Sequence, residues 1–271
     1  MYPGREVFAN TPLALVAAEV RFTDSARLRQ QTTLDAIAIA LEDRFPFARP
    51  SQQPQAGLRI AVGAASPPPP SDRLVLTDET STQSVSLTPT SLTYETTAYD
   101  EFPYLLGAVE KACQALVDAG VRPAISRIGL RYIDEVRVPV AITDARQWGE
   151  WISQRLVDSL SVGPEGSPAV TFQGVATYDL GDGKGLNFRF AALDQSPVVA
   201  PLVLHRPHPA GLGPFFVLDC DGYQNFDGQV AIPLEPGVVG RNLSAVHEPA
   251  GTAFQKSITD KARELFRGDR P

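Results

Sequence analysis

Residues 127–138 read RIGLRYIDEVRV, and this stretch decides the fold. Apolar and polar side chains alternate along it, which predicts a long strand because successive strand residues point to opposite faces of a sheet. Ile128, Leu130 and Tyr132 share the apolar face. Arg127 and Arg131 share the other face, so the strand is expected to have one face against a core and one polar face.

A helix is predicted immediately before this strand. Between residues 102 and 117 the apolar side chains recur at helical spacing and form the stripe of a helix that packs on a sheet. Asp100 is placed to cap the start of this helix, and Pro103 is tolerated in its first turn. Gly120 is placed to end it.

The rest of the chain shows the same order of elements twice. The first series has a strand at 14–22, a helix at 33–45, and strands at 58–63, 73–78, 84–87 and 92–98 before the helix at 102. The second series follows the strand at 127–138 with a helix around 148–160, strands at 170–180, 186–193 and 215–223, and a helix at 246–266. Segments 194–214 and 227–243 are rich in Gly and Pro and are expected to be irregular loops. Residues 67–70 are four prolines, which predict an extended connection.

These patterns predict an α+β fold with an antiparallel sheet and helices packed on one face. The order β-α-β(3–4)-α, occurring twice, indicates two similar halves, residues 1–124 and 125–271, packed intimately as one globular unit. Short echoes support a pseudo-duplication, such as EVRF at 19–22 and EVRV at 135–138. A single larger sheet without true duplication is the alternative.

Composition excludes several classes of protein. The net charge of −7 argues against a main role in nucleic-acid binding, because binding to phosphate backbones needs clustered cations. The chain shows no signal-peptide pattern and no long apolar run, so it is expected to be cytoplasmic and not membrane-bound. Cys113 and Cys220 lie in no zinc or redox spacing and are expected to be buried thiols.

No catalytic or cofactor motif of known spacing occurs, so no cofactor is expected and an enzyme is not favoured. The segment GDGKG at 181–185 joins two predicted strands and is interpreted as a hairpin turn and not as a phosphate loop. His205 and His208, near Asp219 and Asp221, are the nearest approach to a metal set. Prolines beside these histidines make convergence of the rings unfavourable, so no metal site is expected.

Charged residues on the predicted strands indicate an Arg/Asp cluster across the sheet. Asp219 and Asp221 share one side of a strand, and the other predicted strands carry Asp134, Asp179, Arg127, Arg131 and Arg189. This cluster is interpreted as a structural ion-pair network, with an acid/base pair or a polar ligand site as the alternatives. A further polar residue, His247, falls at the predicted start of the last helix, where a solvated ring is expected.

Several segments together resemble a sporadically distributed, uncharacterised bacterial family of similar length. The matching pieces are NTPL at 10–13, FP at 45–46, LTP at 87–89, Tyr99 and Phe102, RIGLRYI at 127–133, VLDCD at 217–221, and His247, Phe254 and IT at 258–259. The resemblance implies no catalytic residues. A patchy distribution suits an accessory role in a mobile operon for defence, toxin regulation or biosynthesis.

Three functional hypotheses follow. The first is a cytosolic, non-enzymatic accessory module that binds a protein partner or self-associates through the sheet face or the long loops. The second is a small-molecule-binding protein or enzyme with a site in the seam between the halves. Its candidate polar contacts are Arg127, Arg131, Tyr132, Asp219, Asp221 and Tyr223. The third, a nucleic-acid-processing protein, needs a local arginine patch that outweighs the acidic net charge.

Overall fold

Ten strands in the described part of the chain form one antiparallel sheet, and helices cover one of its faces. The structure is a computed structural model, and it describes residues 6–49, 74–194, 204–208, 211–226, 228 and 230–268. The strands are β1 (Leu13–Phe22), β2 (Phe47–Arg49), β3 (Leu74–Thr77), β4 (Gln83–Thr88), β5 (Ser91–Thr96), β6 (Ala124–Val136), β7 (Phe172–Gly181), β8 (Lys184–Leu193), β9 (Phe215–Asn225) and β10 (Ile232–Pro233). The helices are α1 (Gln31–Leu41), α2 (Phe102–Asp118), α3 (Gln154–Val157), α4 (Pro236–Ser257) and α5 (Asp260–Arg267), with 3-10 turns at Ala26–Arg29, Ala145–Glu150 and Asp158–Val162.

The strand order is β2-β3-β4-β5-β1-β6-β9-β8-β7, and β10 pairs with the start of β6. β6 therefore lies at the centre, antiparallel to β1 on one side and to β9 on the other. In the first half β1 neighbours β5, and in the second half β6 neighbours β9 in the matching way. The predicted α+β class with an antiparallel sheet is confirmed. The common origin of the two halves stays a prediction.

The core lies between the helices and one face of the sheet. Val20 faces Ile128 across the β1–β6 ladder, and Ala18 faces Leu130. All four of these side chains are buried, as are those of the apolar stripe of α2. Alternation with a period of two thus places the apolar face of β6 against the helices, as the sequence predicts. The opposite face, which carries Arg127, is called the open face below.

α4 approaches the sheet closely at a glycine. A Cβ atom built on Gly222 of β9 would lie 2.7 Å from the carbonyl oxygen of Val246 and 3.1 Å from its Cβ. Real side chains do not tolerate such a contact with backbone. The helix can therefore lie this close to β9 only where the strand carries a glycine. The contact fixes the height of the next residue of α4, His247, above the sheet.

Two predicted helices of the second half are wrong in their bounds. The last helix begins at Pro236 and not at residue 246, so the predicted loop at 227–243 contains the first two turns of α4. Proline is favourable in the first turn of a helix because its missing N–H has no partner there. The predicted helix also breaks at Ile258, where Thr259 caps α5 by accepting a hydrogen bond from the N–H of Ala262.

The helix expected at 148–160 is a chain of short pieces. The backbone runs through the turn at Ala145–Glu150, α3 and the turn at Asp158–Val162. Ile152 interrupts the series because it forms a bridge with Ile258, and the N–H of Ser153 donates to the carbonyl of Ser257 at 2.7 Å. Tertiary pairing therefore overrides local helix propensity here.

Smaller predictions have mixed outcomes. The helix predicted before β6 is α2, and Gly120 follows it with φ of 79°. Asp100 does not cap α2, because Glu101 occupies the N-cap position and makes no side-chain cap. The segment at 181–185 is the β7–β8 hairpin turn, and both cysteines are buried free thiols, as predicted. The strand predicted at 58–63 and the prolines at 67–70 lie outside the described residues.

Candidate functional site

The open face carries a cluster of paired charges at the centre of the sheet. We call it the charged cluster, and it comprises Glu19, Arg127, Arg131, Arg189, Asp219 and Asp221. Arg131 donates from Nε and Nη2 to the two carboxylate oxygens of Asp219, both at 2.7 Å. Arg189 lies 3.4 Å from the same carboxylate. Because the side chain of Asp219 is fully buried, this bidentate pair is the structural centre of the cluster.

A second pair continues the cluster along the strands. Arg127 donates from Nη2 to both oxygens of Asp221 at 3.2 Å and from Nη1 to Glu19 at 3.2 Å. The side-chain amide of Asn187 also donates to Asp221, at 3.3 Å. The guanidinium of Arg127 lies 5.2 Å from the centre of the Tyr223 ring. Every carboxylate of the cluster already has a cationic partner, which fits the interpretation as a structural ion-pair network.

The predicted ligand residues do not lie together. The structure places Arg127, Arg131, Asp219, Asp221 and Tyr223 on the open face. Tyr132, the sixth candidate, lies on the opposite face of β6, against the helices. The two sets are separated by the thickness of the sheet, so the six residues do not form one site.

A cavity of about 380 Å³ lies on the helix side of the sheet, where β6 meets α4 and the segment before β1. We call it the Asp134 cavity. Its polar lining comprises Glu6, Tyr99, Asp100, Tyr132, Asp134, His247 and Gln255, and its apolar lining includes Phe8, Leu13, Ala250 and Phe254. These residues come from both sides of the boundary at residue 124.

An aromatic array forms one wall of this cavity. The hydroxyl of Tyr132 is hydrogen-bonded to Nδ1 of His247 at 2.8 Å. The His247 ring stacks on Phe102 with ring centres 4.1 Å apart and planes 1° from parallel. Tyr99 packs edge-on against Tyr132 at 5.8 Å. His247 lies within α4, and its ring is held by Tyr132 of β6 and Phe102 of α2. Its predicted position as a solvated residue in the first turn of the helix is therefore wrong.

Asp134 is the most unusual residue of the cavity. It lies two residues after Tyr132 on the helix side of β6, opposite Arg131, so its predicted place in the Arg/Asp cluster is wrong. It is only 3% exposed. Its carboxyl group makes no hydrogen bond or ion pair with any residue that the structure describes. Burial, reinforced by the nearby charge of Asp219, raises the pKa of Asp134 well above its usual range. A buried carboxyl without a partner is costly, and this one faces the cavity.

The position of Asp134 has a detectable signal in the sequence. The period of two places its side chain with Leu130 and Tyr132 on the apolar face of β6, whereas the arginines point the other way. A carboxyl on the core face of a central strand conflicts with the pattern around it, and such conflicts mark functional sites. His247 carries no comparable signal, because its role depends on where α4 begins.

A second cavity, of about 550 Å³, lies beside the first and shares Thr11 and Leu13 with it. Its charged lining centres on Glu135, whose carboxylate lies 2.8 Å from Arg206 and 3.6 Å from Arg137. Burial lowers the pKa of Arg137, which also donates to the carbonyl of Gly213 at 2.9 Å. Glu135 engages both arginines, whereas the buried Nε of Arg137 makes no hydrogen bond with any described residue.

The histidines considered for a metal lie at the edge of this second cavity. The N–H of His205 donates to the carbonyl of Ser81 at 2.6 Å, and its own carbonyl accepts a hydrogen bond from the hydroxyl of Thr97. His208 lines the cavity and is exposed. Throughout the described ranges, no group of three or more His, Cys, Asp or Glu residues could hold a metal ion.

Neither a scan against protein-family models nor a search of the curated proteins finds a match for the chain. The resemblance to a sporadically distributed bacterial family therefore stays a prediction. Among the helices of the described residues, none has the length and apolar character that crossing a membrane requires.

Proposed function

We propose that this protein binds a small organic molecule in the Asp134 cavity. The observation that carries the proposal is the carboxyl group of Asp134, which is buried, unpaired among the described residues and turned toward an open space. A protein that only had to be stable would replace such a group by an apolar one or give it a partner. Its presence supports a ligand that completes the site.

The shape and lining of the cavity support the same proposal. A volume of about 380 Å³ lies within the usual range for small-molecule sites, and aromatic and apolar side chains form much of the wall. Three polar groups, Tyr132, Asp134 and His247, converge on it from two elements. Polar groups few in number and fixed in place orient a ligand, and the stacked and hydrogen-bonded His247 meets that requirement.

Binding is favoured over the other functions considered. The charged cluster supports no role in nucleic-acid binding, because carboxylates already neutralise Arg127 and Arg131. Tyr132 and His247 are hydrogen-bonded to each other, and His247 also stacks on Phe102, an arrangement that holds both polar groups in place to orient a ligand. We therefore propose a cytoplasmic binding protein and not an enzyme.

A thermal-shift screen tests the proposal. Small organic compounds that bind the native state raise the melting temperature, and we expect hits from a general fragment library. The substitution His247→Phe keeps a ring to stack on Phe102 but removes the polar atoms. We expect it to weaken the hits by about tenfold, the cost of one lost hydrogen bond in a buried site.

The matched control is Thr177→Val, an exposed position of β7 on the open face, which should leave the affinities unchanged. A library that yields no stabilising compound, or hits that bind the His247→Phe variant as tightly as the native protein, would overturn the proposal.

Self-association is a second candidate function, and it is favoured by the edge strand β7. The outer edge of β7 pairs with no other described strand. Val175 and Tyr178 are each 49% exposed, and Asp179 is the one charged residue in the strand. Edge strands usually carry lysine, proline or several charges that prevent pairing, and β7 lacks them. We propose that a second copy adds its own β7 in antiparallel register.

Light scattering after size exclusion tests this candidate. The native protein is expected to be a dimer that the substitution Tyr178→Lys converts to a monomer, because a lysine at the edge strand disfavours pairing. Glu42→Lys, an exposed change just beyond α1, introduces a lysine far from β7 and should leave the dimer intact. A native protein that is monomeric at its highest soluble concentration would reject the interface.

A further inference from the structure

We infer that the ligand of the Asp134 cavity is an organic cation, an amine with a compact aromatic or aliphatic body. The inference rests on the proposed function and names the chemical class of its ligand. It starts from the charges of the cavity wall. The described lining residues include no lysine or arginine. They include three acidic residues, Glu6, Asp100 and Asp134.

The three acidic groups are not equivalent. Glu6 is paired with Arg267 at 2.5 Å and with Arg263 at 3.4 Å, so its charge is already compensated. Asp100 is exposed at the rim, in the segment before α2. Asp134 alone is both deeply buried and without a partner among the described residues. A cation in the cavity therefore finds its strongest partner in Asp134, since charge pairs gain most where water is excluded.

The aromatic wall favours the same class of ligand. Tyr99 and Tyr132 are held edge to face at 5.8 Å, and Phe8 and Phe254 are held edge to face at 6.4 Å. All four rings line the cavity. Aromatic faces attract ammonium groups and also pack against apolar bodies. Such a lining is unfavourable for a carboxylate or phosphate, which would meet Asp134 without a compensating cation.

Binding of an amine is expected to change the protonation of Asp134. The titratable groups on the side of Asp134 are Tyr99 and Asp100 before α2, Tyr132 on its own strand, His247 on α4, Glu6 in the first segment and Cys220 on β9. The nearest charge on the open face is Asp219. None of them is a fixed cation, so no described group offsets the burial that raises the pKa of Asp134 in the empty protein. An ammonium group favours the carboxylate, and the proton of Asp134 leaves to solvent on binding.

The direction of the pH dependence follows. Below the pKa of Asp134 in the empty protein, affinity for an amine should rise about tenfold per pH unit, because binding releases one proton. Above that pKa the affinity should level off. A neutral ligand of the same shape should show no such rise, since it does not require Asp134 to ionise.

Calorimetry with matched probes tests the inference. Benzylamine and phenethylamine are compared with benzyl alcohol and 2-phenylethanol, which have the same carbon skeletons without the charge. The amines should bind the native protein about 100-fold more tightly, the factor expected for one partner of a buried charge pair. Titrations in two buffers of different ionisation enthalpy should report about one proton released per amine bound.

Asp134→Asn keeps the size of the side chain and removes its charge. This variant should bind amine and alcohol equally, and continued binding of the alcohol shows that the cavity is intact. Asp179→Asn, an exposed change on β7, is the matched control and should keep the preference for amines.

The outcomes separate the two proposals. Equal binding of amine and alcohol by the native protein overturns the inference and leaves the proposed function standing. A preference for amines that survives Asp134→Asn overturns the role of Asp134. Failure of all four probes, together with an empty thermal-shift screen, overturns both the function and the ligand class.

Discussion

Replacement of Arg131 by alanine is expected to lower the free energy of unfolding by about 3–5 kcal/mol. The carboxylate of Asp219 is fully buried and takes two 2.7 Å hydrogen bonds from Arg131. Removal of the guanidinium leaves a buried negative charge whose remaining cation, Arg189, lies at 3.4 Å. Since Arg189 compensates part of the charge, the lower end of the range is expected.

Denaturation in urea measures this loss, with the slope of the transition unchanged if the native fold is kept. Arg21→Ala is the matched control, because Arg21 also pairs with a carboxylate, Glu19, but is 57% exposed. Exposed pairs contribute at most about 1 kcal/mol. If Arg131→Ala lowers the free energy of unfolding no more than this control does, the buried charge of Asp219 does not need Arg131. The charged cluster would then not be a structural network.

Replacement of Asp134 by asparagine is expected to increase the stability of the protein at neutral pH. The pKa of Asp134 is raised in the folded state, so above pH of about 3.9 the unfolded chain loses a proton that the folded protein keeps. Stability therefore falls as pH rises from there to the folded pKa, by about 1.4 kcal/mol per pH unit. Asparagine does not ionise and should remove this part of the pH dependence.

Thermal or urea unfolding from pH 4 to pH 8 checks the sign, and the variant should gain stability over the native protein as the pH rises. Asp179→Asn on the exposed face of β7 provides the comparison and should follow the native curve. A less stable Asp134→Asn protein with an unchanged pH slope would show that Asp134 is satisfied in the folded state. A stabilising substitution that also removes the preference for amines would be typical of a residue kept for function.

The sequence predicts the central strand and the charged cluster because both depend on one local rule. Alternation with a period of two separates Leu130 from Arg131 whatever the surrounding fold, and Asp219 then meets Arg131 once β9 pairs with β6. The Asp134 cavity cannot be predicted in this way. It depends on the depth at which α4 crosses Gly222 and on the position of His247 within that helix, and both are set by packing between distant segments.

The missed start of α4 has a physical reason. Pro236, Gly237 and Gly240 are poor helix formers, so local propensity predicts a loop where tertiary packing supports a helix. Gly240 packs against α2, where an added Cβ would lie 2.1 Å from the carboxylate of Glu110. That carboxylate is the end of a flexible side chain and can turn away, so the helix over these residues depends on its packing against α2 and the sheet.

The pairing of β1 with β6 also bears on how the chain is made. Glu19 and Arg127, which meet across these two strands, are 108 residues apart. At a synthesis rate of about 5–20 residues per second, β1 waits about 5–20 seconds for its central neighbour. During that interval one edge of β1 has no strand beside it. The nascent chain should therefore engage holdase chaperones until residue 136 has left the ribosome.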